Sequence, residues 1–379
     1  MESGDLSGIA KRAEANAALI GSANAKRAYK GDTGAYAFQA PVQGRDYRGP
    51  CPGLNAMANH GYIPRNGIAT YGQLVQGQKD LYNVADDLAN LLCTVAVPLD
   101  GDILTLRLSI GGAAPELNTL GGLLGKPTGL NTHNTFEGDT SLTRNDYFLG
   151  GGDNYSFNGT LFGQMVDTCN EVSGGLFDFK CMAAYRKKRY DASKATNPNF
   201  YFGPLALLLF GAASFLYELM PSANGQPDLS TMQAFFGASQ RADGTWYFNN
   251  QERIPAGGWT PRTTTYDGQK VVTQILAMYL ANPVLFGGNA GSVNNFLGLN
   301  IPGYFSGGQL LNTPGGVTCL LYNVLSGFVP TGINQGLQLT GAALTFVTGN
   351  ILKLPSGGGL ANCLPARPAT YTSPPAEQA

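Results

Sequence analysis

A cysteine stands between two prolines in the segment RGPCPGL, residues 48–54. Proline is favoured at the first position of a helix, where its missing N–H costs nothing, so Pro52 predicts a helix start. Cys51 then takes the N-cap and faces the unpaired N–H groups of Gly53 and Leu54 at the positive end of the helix dipole. This environment stabilises a thiolate. The motif alone leaves open the alternative of a buried structural cysteine.

The second candidate motif is the segment FEGDTSLTRND, residues 136–146. A hard cation prefers oxygen ligands. Three oxygen groups of this segment could converge on such a cation: the Glu137 carboxylate, the Gly138 carbonyl and the Ser141 hydroxyl. The alternative is a loop-to-helix cap formed by Ser141 or Asp139, with Arg144 paired to Asp146.

The composition of the 379-residue chain excludes several classes of protein. Charged residues make up 13%, hydrophobic residues 43%, and there are 52 glycines. These values fit a globular chain with large loops and argue against a disordered, collagenous or coiled-coil chain. The net charge of −1 gives no electrostatic footprint for nucleic acid or an anionic membrane. Two histidines nearly exclude a His-rich metal site.

The six cysteines form no C-x-x-C motif, which disfavours zinc ribbons and thioredoxin-like sites. We expect Cys93, Cys169 and Cys181 to be buried thiols, with a Cys169–Cys181 bridge as the alternative. Glycosylation sequons begin at Asn154 and Asn158 and slightly favour secretion. The N-terminus lacks the apolar core of a signal peptide. We therefore expect a secreted protein whose signal peptide is absent from this sequence, and an intracellular location is the alternative.

The elements that must position these motifs are mostly helices. Thr70 and Gln73 fit a capping box, and five apolar residues behind them recur on one helix face: Leu74, Leu81, Val84, Leu88 and Leu91. Further helices are predicted from Asn158 and after Asp228. The apolar run Leu205–Met220 is shorter than the ~20 residues that span a bilayer, so it predicts a buried helix and no membrane span.

Three regions divide the chain. Residues 1–45 are predicted to be an N-terminal extension of pro-peptide character, residues 46–364 a single mainly α domain with long loops, and residues 365–379 a flexible tail.

Taken together, the two motifs resemble the fungal haem-thiolate peroxidase family. The closest match is to its long-type unspecific peroxygenases, and chloroperoxidase is a more distant relative. Other segments share the resemblance: Pro50–Gly67, Leu108–Gly111, Phe157–Phe162 and Ala195–Phe200. The resemblance covers residues 46–240 and 319–363, and residues 245–318 contain no family motif. It implies about ten helices enclosing a haem, with little or no β-sheet.

Carried over to this chain, the resemblance implies that Cys51 is the axial thiolate ligand of a haem b iron. Five residues would contact the haem: Pro50, Pro52, Gly53, Leu54 and Phe136. Glu137, Gly138 and Ser141 would bind Mg²⁺ together with a haem propionate. Cys319 and Cys363 match the positions of the family disulfide.

The activity that the resemblance implies is peroxygenation. A thiolate ligand donates electron density to iron and favours cleavage of the O–O bond of hydrogen peroxide. Oxygen would be inserted into C–H or C=C bonds of a small apolar organic substrate, with accompanying peroxidase activity. The alternatives are an enzyme of secondary metabolism that acts on organic or fatty-acid hydroperoxides, chloroperoxidase-like halogenation, and a haem-binding protein without turnover. A monomer or a homodimer is expected.

The chain departs from the family pattern at the distal acid–base. Ala212 and Leu205 stand where long-type peroxygenases have a glutamate and an arginine. Glu218, on the same apolar run, is therefore the tentative distal acid–base. Its alternatives are a helix-end cap or a pair with the basic cluster Arg186–Arg189, which is expected to be a solvated helix face.

The predicted substrate pocket is apolar. We expect its lining to include five residues: Val84, Leu91, Phe136, Leu208 and Ala212.

Overall fold

A computed structural model describes residues 29–102, 104–117, 127–222, 225–300 and 305–310. Within these ranges the chain is mainly α. Eight α-helices are described: α1 (Pro52–Asn59), α2 (Tyr71–Tyr82), α3 (Asp86–Asp100), α4 (Gly159–Ser173), α5 (Phe179–Thr196), α6 (Leu207–Leu219), α7 (Leu229–Phe236) and α8 (Gly268–Ala281). The predicted Cys319–Cys363 disulfide and the 365–379 tail lie outside the described residues.

Short strands are more frequent than predicted. They form four small antiparallel sheets in the described ranges, paired in the orders β1-β2, β3-β6-β7, β4-β5 and β8-β9. The strands are β1 (Ile68–Thr70), β2 (Arg107–Ser109), β3 (Tyr201–Phe202), β4 (Ala238–Gln240), β5 (Trp246–Phe248), β6 (Gly287–Asn289), β7 (Phe296–Gly298), β8 (Phe305–Ser306) and β9 (Gln309–Leu310). Each of these strands has only two or three residues, so they connect helices and do not form a layer of their own.

The single helix face predicted over Leu74–Leu91 is wrong, because two helices share it. The Thr70 capping box is present and starts α2. Asn83 then adopts the left-handed conformation at φ 54° and ends α2, a conformation that asparagine tolerates at helix ends. Val84 lies between the helices, and α3 begins at Asp86. An ion pair between Lys79 and Asp86 spans the break.

The other predicted helix starts are confirmed by their caps. The Asn158 side chain accepts a hydrogen bond from the N–H of Leu161 at 3.1 Å and caps α4. Asp228 accepts from the N–H of Thr231 at 2.8 Å and caps α7. The apolar run forms a 3₁₀ turn at Pro204–Ala206 followed by α6.

The helices around the site pack against one another, and α5 contacts both α6 and α8. α6 lies against α8, where Gly211 faces Ile275 and Val271 closely. α4 lies against α5, and Cys169–Cys181 joins the two helices covalently. The expectation that these two cysteines are free thiols is therefore wrong, whereas Cys93 is a buried free thiol as predicted.

Residues 29–45 contact the rest of the chain. The Tyr29 hydroxyl donates to the carbonyl of Trp259 at 2.7 Å, and the N–H of Gln39 donates to the carbonyl of Asn59 at 2.9 Å. The first bond attaches the segment to the loop between α7 and α8, and the second attaches it to the C-terminal end of α1. In the described ranges, no helix combines the length and apolarity that crossing a membrane requires.

Candidate active site

A cavity of about 310 Å³ lies between the Cys51 segment, the acidic segment and helices α3, α6 and α8. It brings together twelve residues predicted from the sequence: Pro50, Cys51, Pro52, Gly53, Leu54, Leu91, Phe136, Glu137, Gly138, Ser141, Leu208 and Ala212. Two other predicted residues, Val84 and Glu218, are not in the part of the wall formed by described residues. The remaining wall is predominantly aliphatic.

Cys51 is the N-cap of α1, with Pro52 at the first helical position, as predicted. Its side chain is open to the cavity and enclosed by protein on its other sides. Burial raises the pKa of the Cys51 thiol, while the N–H groups of Leu54 and Gly53 act in the opposite direction. The N–H groups at the helix start therefore favour the thiolate. In the polypeptide without a bound metal, their effect on the pKa is smaller than that of desolvation. Coordination to a metal ion deprotonates such a thiol.

The segment before Cys51 is held tightly against the fold. A Cβ at Gly49 would lie 2.0 Å from the carbonyl oxygen of Ile110, so only glycine fits there. The Asn55 side chain accepts from the N–H of Gly49 at 3.0 Å and donates to its carbonyl at 2.8 Å. These contacts fix the direction in which the chain enters α1 and thereby the position of the thiol.

A buried ion pair lies behind the same segment. Arg144 donates through Nε to the carbonyl of Pro50 at 3.1 Å and through Nη2 to Glu252 Oε1 at 3.0 Å. The Arg144–Asp146 pair of the alternative interpretation does not form, because Asp146 pairs instead with Arg189 at 3.3 Å. Arg144 therefore supports the Cys51 segment through its hydrogen bond to the Pro50 carbonyl.

Glu252 is a residue that the sequence reasoning missed. It lies in the stretch after residue 245 that contains no family motif, and it is 4% exposed. A buried carboxylate so close to a cysteine segment cannot be recognised from local sequence, since its partner is 108 positions away.

In the acidic segment, the Glu137 side chain is buried, and one of its two carboxylate oxygens has hydrogen-bond partners. Its Oε2 accepts from Nδ2 of Asn154 at 2.6 Å and lies 3.0 Å from Nδ1 of His133. Its Oε1 is buried and has no hydrogen-bond partner among the described residues. Burial raises the pKa of Glu137, and His133 and Asn154 partly offset that rise. An unpartnered carboxylate oxygen beside the Gly138 backbone suits a hard cation.

The glycosylation sequons have different surroundings. Asn154 is completely buried, and its amide nitrogen is the group that donates to Glu137. A glycan on Asn154 is incompatible with the folded chain, so that prediction is wrong. At Asn158, which is half-buried, Nδ2 donates to Oδ1 of Asn145 at 2.6 Å.

Strain in the acidic segment is concentrated at Thr140. Its φ of 71° is unusual for a β-branched residue. Asp146 Oδ1 accepts from its N–H at 3.0 Å, and Arg186 donates to its carbonyl and to its hydroxyl. The turn between Gly138 and Ser141 is therefore held from both sides.

The basic cluster on α5 is not the solvated face that the sequence suggested. Arg186 and Arg189 are 2% and 6% exposed, and they point into the acidic segment. Burial lowers the pKa of Arg186 to about 9. Lys188 is exposed and Lys187 is half-buried, so the cluster splits between the interior and the surface.

The distal helix α6 presents small and aliphatic groups to the cavity, including Leu208 and Ala212. Glu218 lies one to two turns further along and is engaged elsewhere: it pairs with Arg262 and accepts from the amide of Gln274. The structure therefore does not bring Glu218 together with Cys51. The alternative prediction, a pair between Glu218 and the basic cluster on α5, is also wrong, because the partner of Glu218 is Arg262.

The fold and the site define a mainly helical protein with a cysteine at a helix N-cap that faces an apolar cavity beside a buried carboxylate. Residues 36–264 match the family described as Peroxidase, family 2. The chain belongs to this fungal haem-thiolate peroxidase family, and it is an oxidoreductase that acts on peroxide.

Three relatives illustrate the range of this family. A dothistromin biosynthesis peroxidase of Dothistroma septosporum is 33% identical over 337 residues, 85% of this chain and 80% of the relative. An aromatic peroxygenase of Coprinellus radians is 37% identical over 232 residues, 59% of this chain and 87% of the relative. The chloroperoxidase of Leptoxyphium fumago is 28% identical over 204 residues, 52% of this chain and 50% of the relative. Family membership implies the use of haem and peroxide.

Proposed function

We propose that the chain is a haem-thiolate peroxygenase that uses hydrogen peroxide to insert oxygen into C–H or C=C bonds of apolar substrates. The observation that carries this proposal is the single cavity into which Cys51, Glu137 and the aliphatic face of α6 all open. A cysteine thiolate on haem iron supplies the electron donation that favours O–O cleavage. An apolar wall excludes water and favours apolar molecules over polar ones.

The residues around the cavity fit a bound haem. Cys51 is a free thiol directed into the cavity, and Pro50 and Phe136 stand on the wall beside it. Arg144 anchors the carbonyl of Pro50 and so holds the thiol in place. The cavity has the aliphatic lining that a flat apolar group requires.

We propose that Mg²⁺ binds at Glu137, with the Gly138 carbonyl and the Ser141 hydroxyl as further ligands. The unpartnered Glu137 Oε1 supports this proposal. The described residues contain no cluster of three or more His, Cys, Asp or Glu side chains placed to hold a metal ion. A site at Glu137 would therefore have one carboxylate and complete its shell with neutral oxygens, as magnesium sites often do with water and ligand groups.

A second candidate function is the turnover of organic hydroperoxides. In the described residues, α6 contributes no titratable side chain to the cavity wall. Transfer of a proton between the two oxygens of hydrogen peroxide normally requires such a group. An organic hydroperoxide has a weaker O–O bond and needs less assistance.

An extracellular location is also part of the proposal. The Cys169–Cys181 disulfide supports it, because disulfides persist in oxidising compartments.

The test uses the haem-loaded chain with ¹⁸O-labelled hydrogen peroxide and naphthalene, and mass spectrometry follows the label. Label in the product supports peroxygenation, whereas peroxide consumption without label transfer contradicts it. Activity with cumene hydroperoxide but not with hydrogen peroxide would favour the second candidate.

The ligation is tested separately by the spectrum of the reduced CO complex. We expect a band at about 450 nm, which is typical of thiolate ligation. Cys51→Ser should abolish it, and Cys93→Ser, which removes the other free thiol of the described residues, is the matched control. A band of the imidazole type in the unmodified chain would overturn the assignment of Cys51.

A further inference from the structure

A series of aromatic side chains in mutual contact begins at the cavity wall beside Cys51. Tyr82 lines the cavity, and its hydroxyl donates to the carbonyl of Gly53 at 2.8 Å. The ring centroid of Phe235 lies 6.2 Å from that of Tyr82 and 5.4 Å from that of Trp259. These distances are typical of aromatic pairs in contact. Three rings therefore connect the cavity wall with Trp259.

The series continues into the N-terminal segment. Tyr29 packs edge-on against Trp259 with the ring centroids 5.7 Å apart, and its hydroxyl donates to the Trp259 carbonyl at 2.7 Å. The ring of Tyr62 is stacked on that of Tyr29 at 6.5 Å, and the ring of Tyr36 lies 4.9 Å from that of Tyr62. Trp259 and Tyr62 are buried, whereas Tyr29 and Tyr36 are partly exposed. The aromatic series thus leads from the cavity to the surface.

The residue types in this series suit the passage of single electrons. Tryptophan and tyrosine are oxidised by one electron more readily than phenylalanine is, so Phe235 serves as a bridge that is not itself oxidised. An oxidised indole can keep its N–H, and that of Trp259 donates to the carbonyl of Pro221 at 2.7 Å. An oxidised tyrosine releases its phenolic proton. At Tyr29, which is partly exposed, water can take that proton.

The chain has two tryptophans, and the contacts between the second one and the cavity are different. The ring of Trp246 lies 5.0 Å from that of Phe162, which lies 5.7 Å from that of Phe236 on the cavity wall. Both rings on this route are phenylalanine, which is hard to oxidise. The route through Tyr82 and Trp259 is therefore favoured, and Trp246 offers an internal comparison.

We propose that this aromatic series carries single electrons to the cavity from a donor bound at the surface around Tyr29 and Tyr36. The donors in question are reductants too large to enter a cavity of about 310 Å³. This activity goes beyond the insertion of oxygen, since the donor stays outside the cavity. It rests on the use of haem and peroxide that family membership implies, and does not require oxygen transfer to an apolar substrate.

The electrons and protons of this reaction balance. Each hydrogen peroxide takes up two electrons and two protons and leaves as two molecules of water, so two donor molecules each lose one electron. Within the series, Trp259 loses an electron towards the cavity and regains one from Tyr29, whose phenolic proton passes to water. An electron from the surface donor and a proton from water then restore the Tyr29 phenol.

The first test looks for the protein radical itself. The haem-loaded chain is mixed with hydrogen peroxide without any donor, frozen within milliseconds and measured by electron paramagnetic resonance. We expect an organic radical signal in the unmodified chain. Trp259→Phe, which keeps an aromatic ring in place, should lose most of that signal, and Trp246→Phe should retain it. A signal that disappears in Trp246→Phe and persists in Trp259→Phe would overturn the proposal.

The second test measures oxidation of ferrocytochrome c, a protein that cannot enter the cavity. Tyr29→Phe keeps the ring at a partly exposed position and removes the hydroxyl that must release a proton. We expect both Tyr29→Phe and Trp259→Phe to lose most of this oxidation rate, and Trp246→Phe to retain it. Oxidation of guaiacol, a phenol small enough for the cavity, should be unchanged in all three variants. Equal rates with ferrocytochrome c in all variants would overturn the surface site.

These outcomes are distinct from those that test the proposed function. Oxidation of ferrocytochrome c that depends on Trp259, in a chain that transfers no labelled oxygen, would support the electron route and overturn the peroxygenase. Oxygen transfer by a chain that shows neither the radical signal nor oxidation of ferrocytochrome c would do the reverse.

Discussion

Arg144 and Glu252 form a buried ion pair, 3.0 Å from Nη2 to Oε1, directly behind the segment that presents Cys51. Both side chains are less than 5% exposed, at 3% and 4%. The same guanidinium donates to the carbonyl of Pro50. Arg144, a residue of the acidic motif, therefore contacts the cysteine motif directly, and its counter-ion Glu252 belongs to neither motif.

Removing one member of this pair should destabilise the chain strongly. Glu252→Ala leaves a buried guanidinium without its counter-ion, and we expect the free energy of unfolding to fall by about 3–5 kcal/mol. The double variant Arg144→Met, Glu252→Met should recover most of that loss, since apolar side chains of similar volume replace buried pairs well. Urea unfolding of the three proteins measures both effects. A single variant as stable as the unmodified chain would contradict the pairing.

The stable double variant also tests what Arg144 does for the cysteine. It lacks the donor to the Pro50 carbonyl, so the Cys51 segment is less firmly held. After haem loading, we expect a part of the reduced CO complex to lose the band at about 450 nm. A spectrum identical to that of the unmodified chain would show that Gly49 and Asn55 hold the segment without help.

Restoring the family glutamate on α6 should accelerate the reaction with hydrogen peroxide. Ala212 faces the cavity, so a carboxylate introduced there can move a proton between the peroxide oxygens. We expect Ala212→Glu to raise kcat/KM for hydrogen peroxide by about 10²-fold. Ala212→Gln is the matched control, with the same size and no titratable group. Equal rates in the two variants would mean that proton transfer does not limit turnover.

The disulfide between α4 and α5 should contribute measurably to stability. Cys169 and Cys181 are 12 positions apart, and closing a loop of this size stabilises a fold by about 3 kcal/mol. The variant with both cysteines changed to serine should lose this amount in urea unfolding. In the presence of a reductant the unmodified chain should lose at least this amount, because the reductant would also open the predicted Cys319–Cys363 bond. A reductant effect on the variant would point to a different disulfide.

Asp100 should make stability depend on pH. Burial raises the pKa of Asp100 from 3.8 to about 7 in the folded chain. The hydrogen bond from Thr135 lowers this pKa but offsets only part of the rise. Between about pH 4 and pH 7 the folded chain keeps a proton that the unfolded chain has released, so the free energy of unfolding falls as pH rises through this window. Asp100→Asn removes this contribution, which is on the order of 2–4 kcal/mol.

The measurement compares unfolding of the Asp100→Asn variant and the unmodified chain at pH 5 and at pH 7.5. The variant should gain stability relative to the unmodified chain as the pH is raised. Asp191→Asn removes an exposed carboxylate on α5 and serves as the control. A constant difference at both pH values would show that Asp100 titrates normally.

The sequence by itself determined the local features of this protein. The helix start at Pro52, the N-cap position of Cys51 and the caps of α2, α4 and α7 depend on residues a few positions apart, so their types and spacing are sufficient. The motifs around Cys51 and Glu137 likewise indicated the family, because each is a short contiguous segment. Twelve predicted site residues lie on one cavity for the same reason: the resemblance carried them over segment by segment.

The tertiary structure decided how charges and thiols are paired. Arg144 pairs with Glu252 and not with Asp146, Glu218 pairs with Arg262, and Cys169 bonds to Cys181. Asn154 looks like a glycosylation site in sequence and is a buried donor to Glu137 in the fold. Such partners are selected by burial, since a charge or an amide that loses water must take whichever counterpart packing brings near. That choice depends on contacts between distant segments, and no local spacing encodes it.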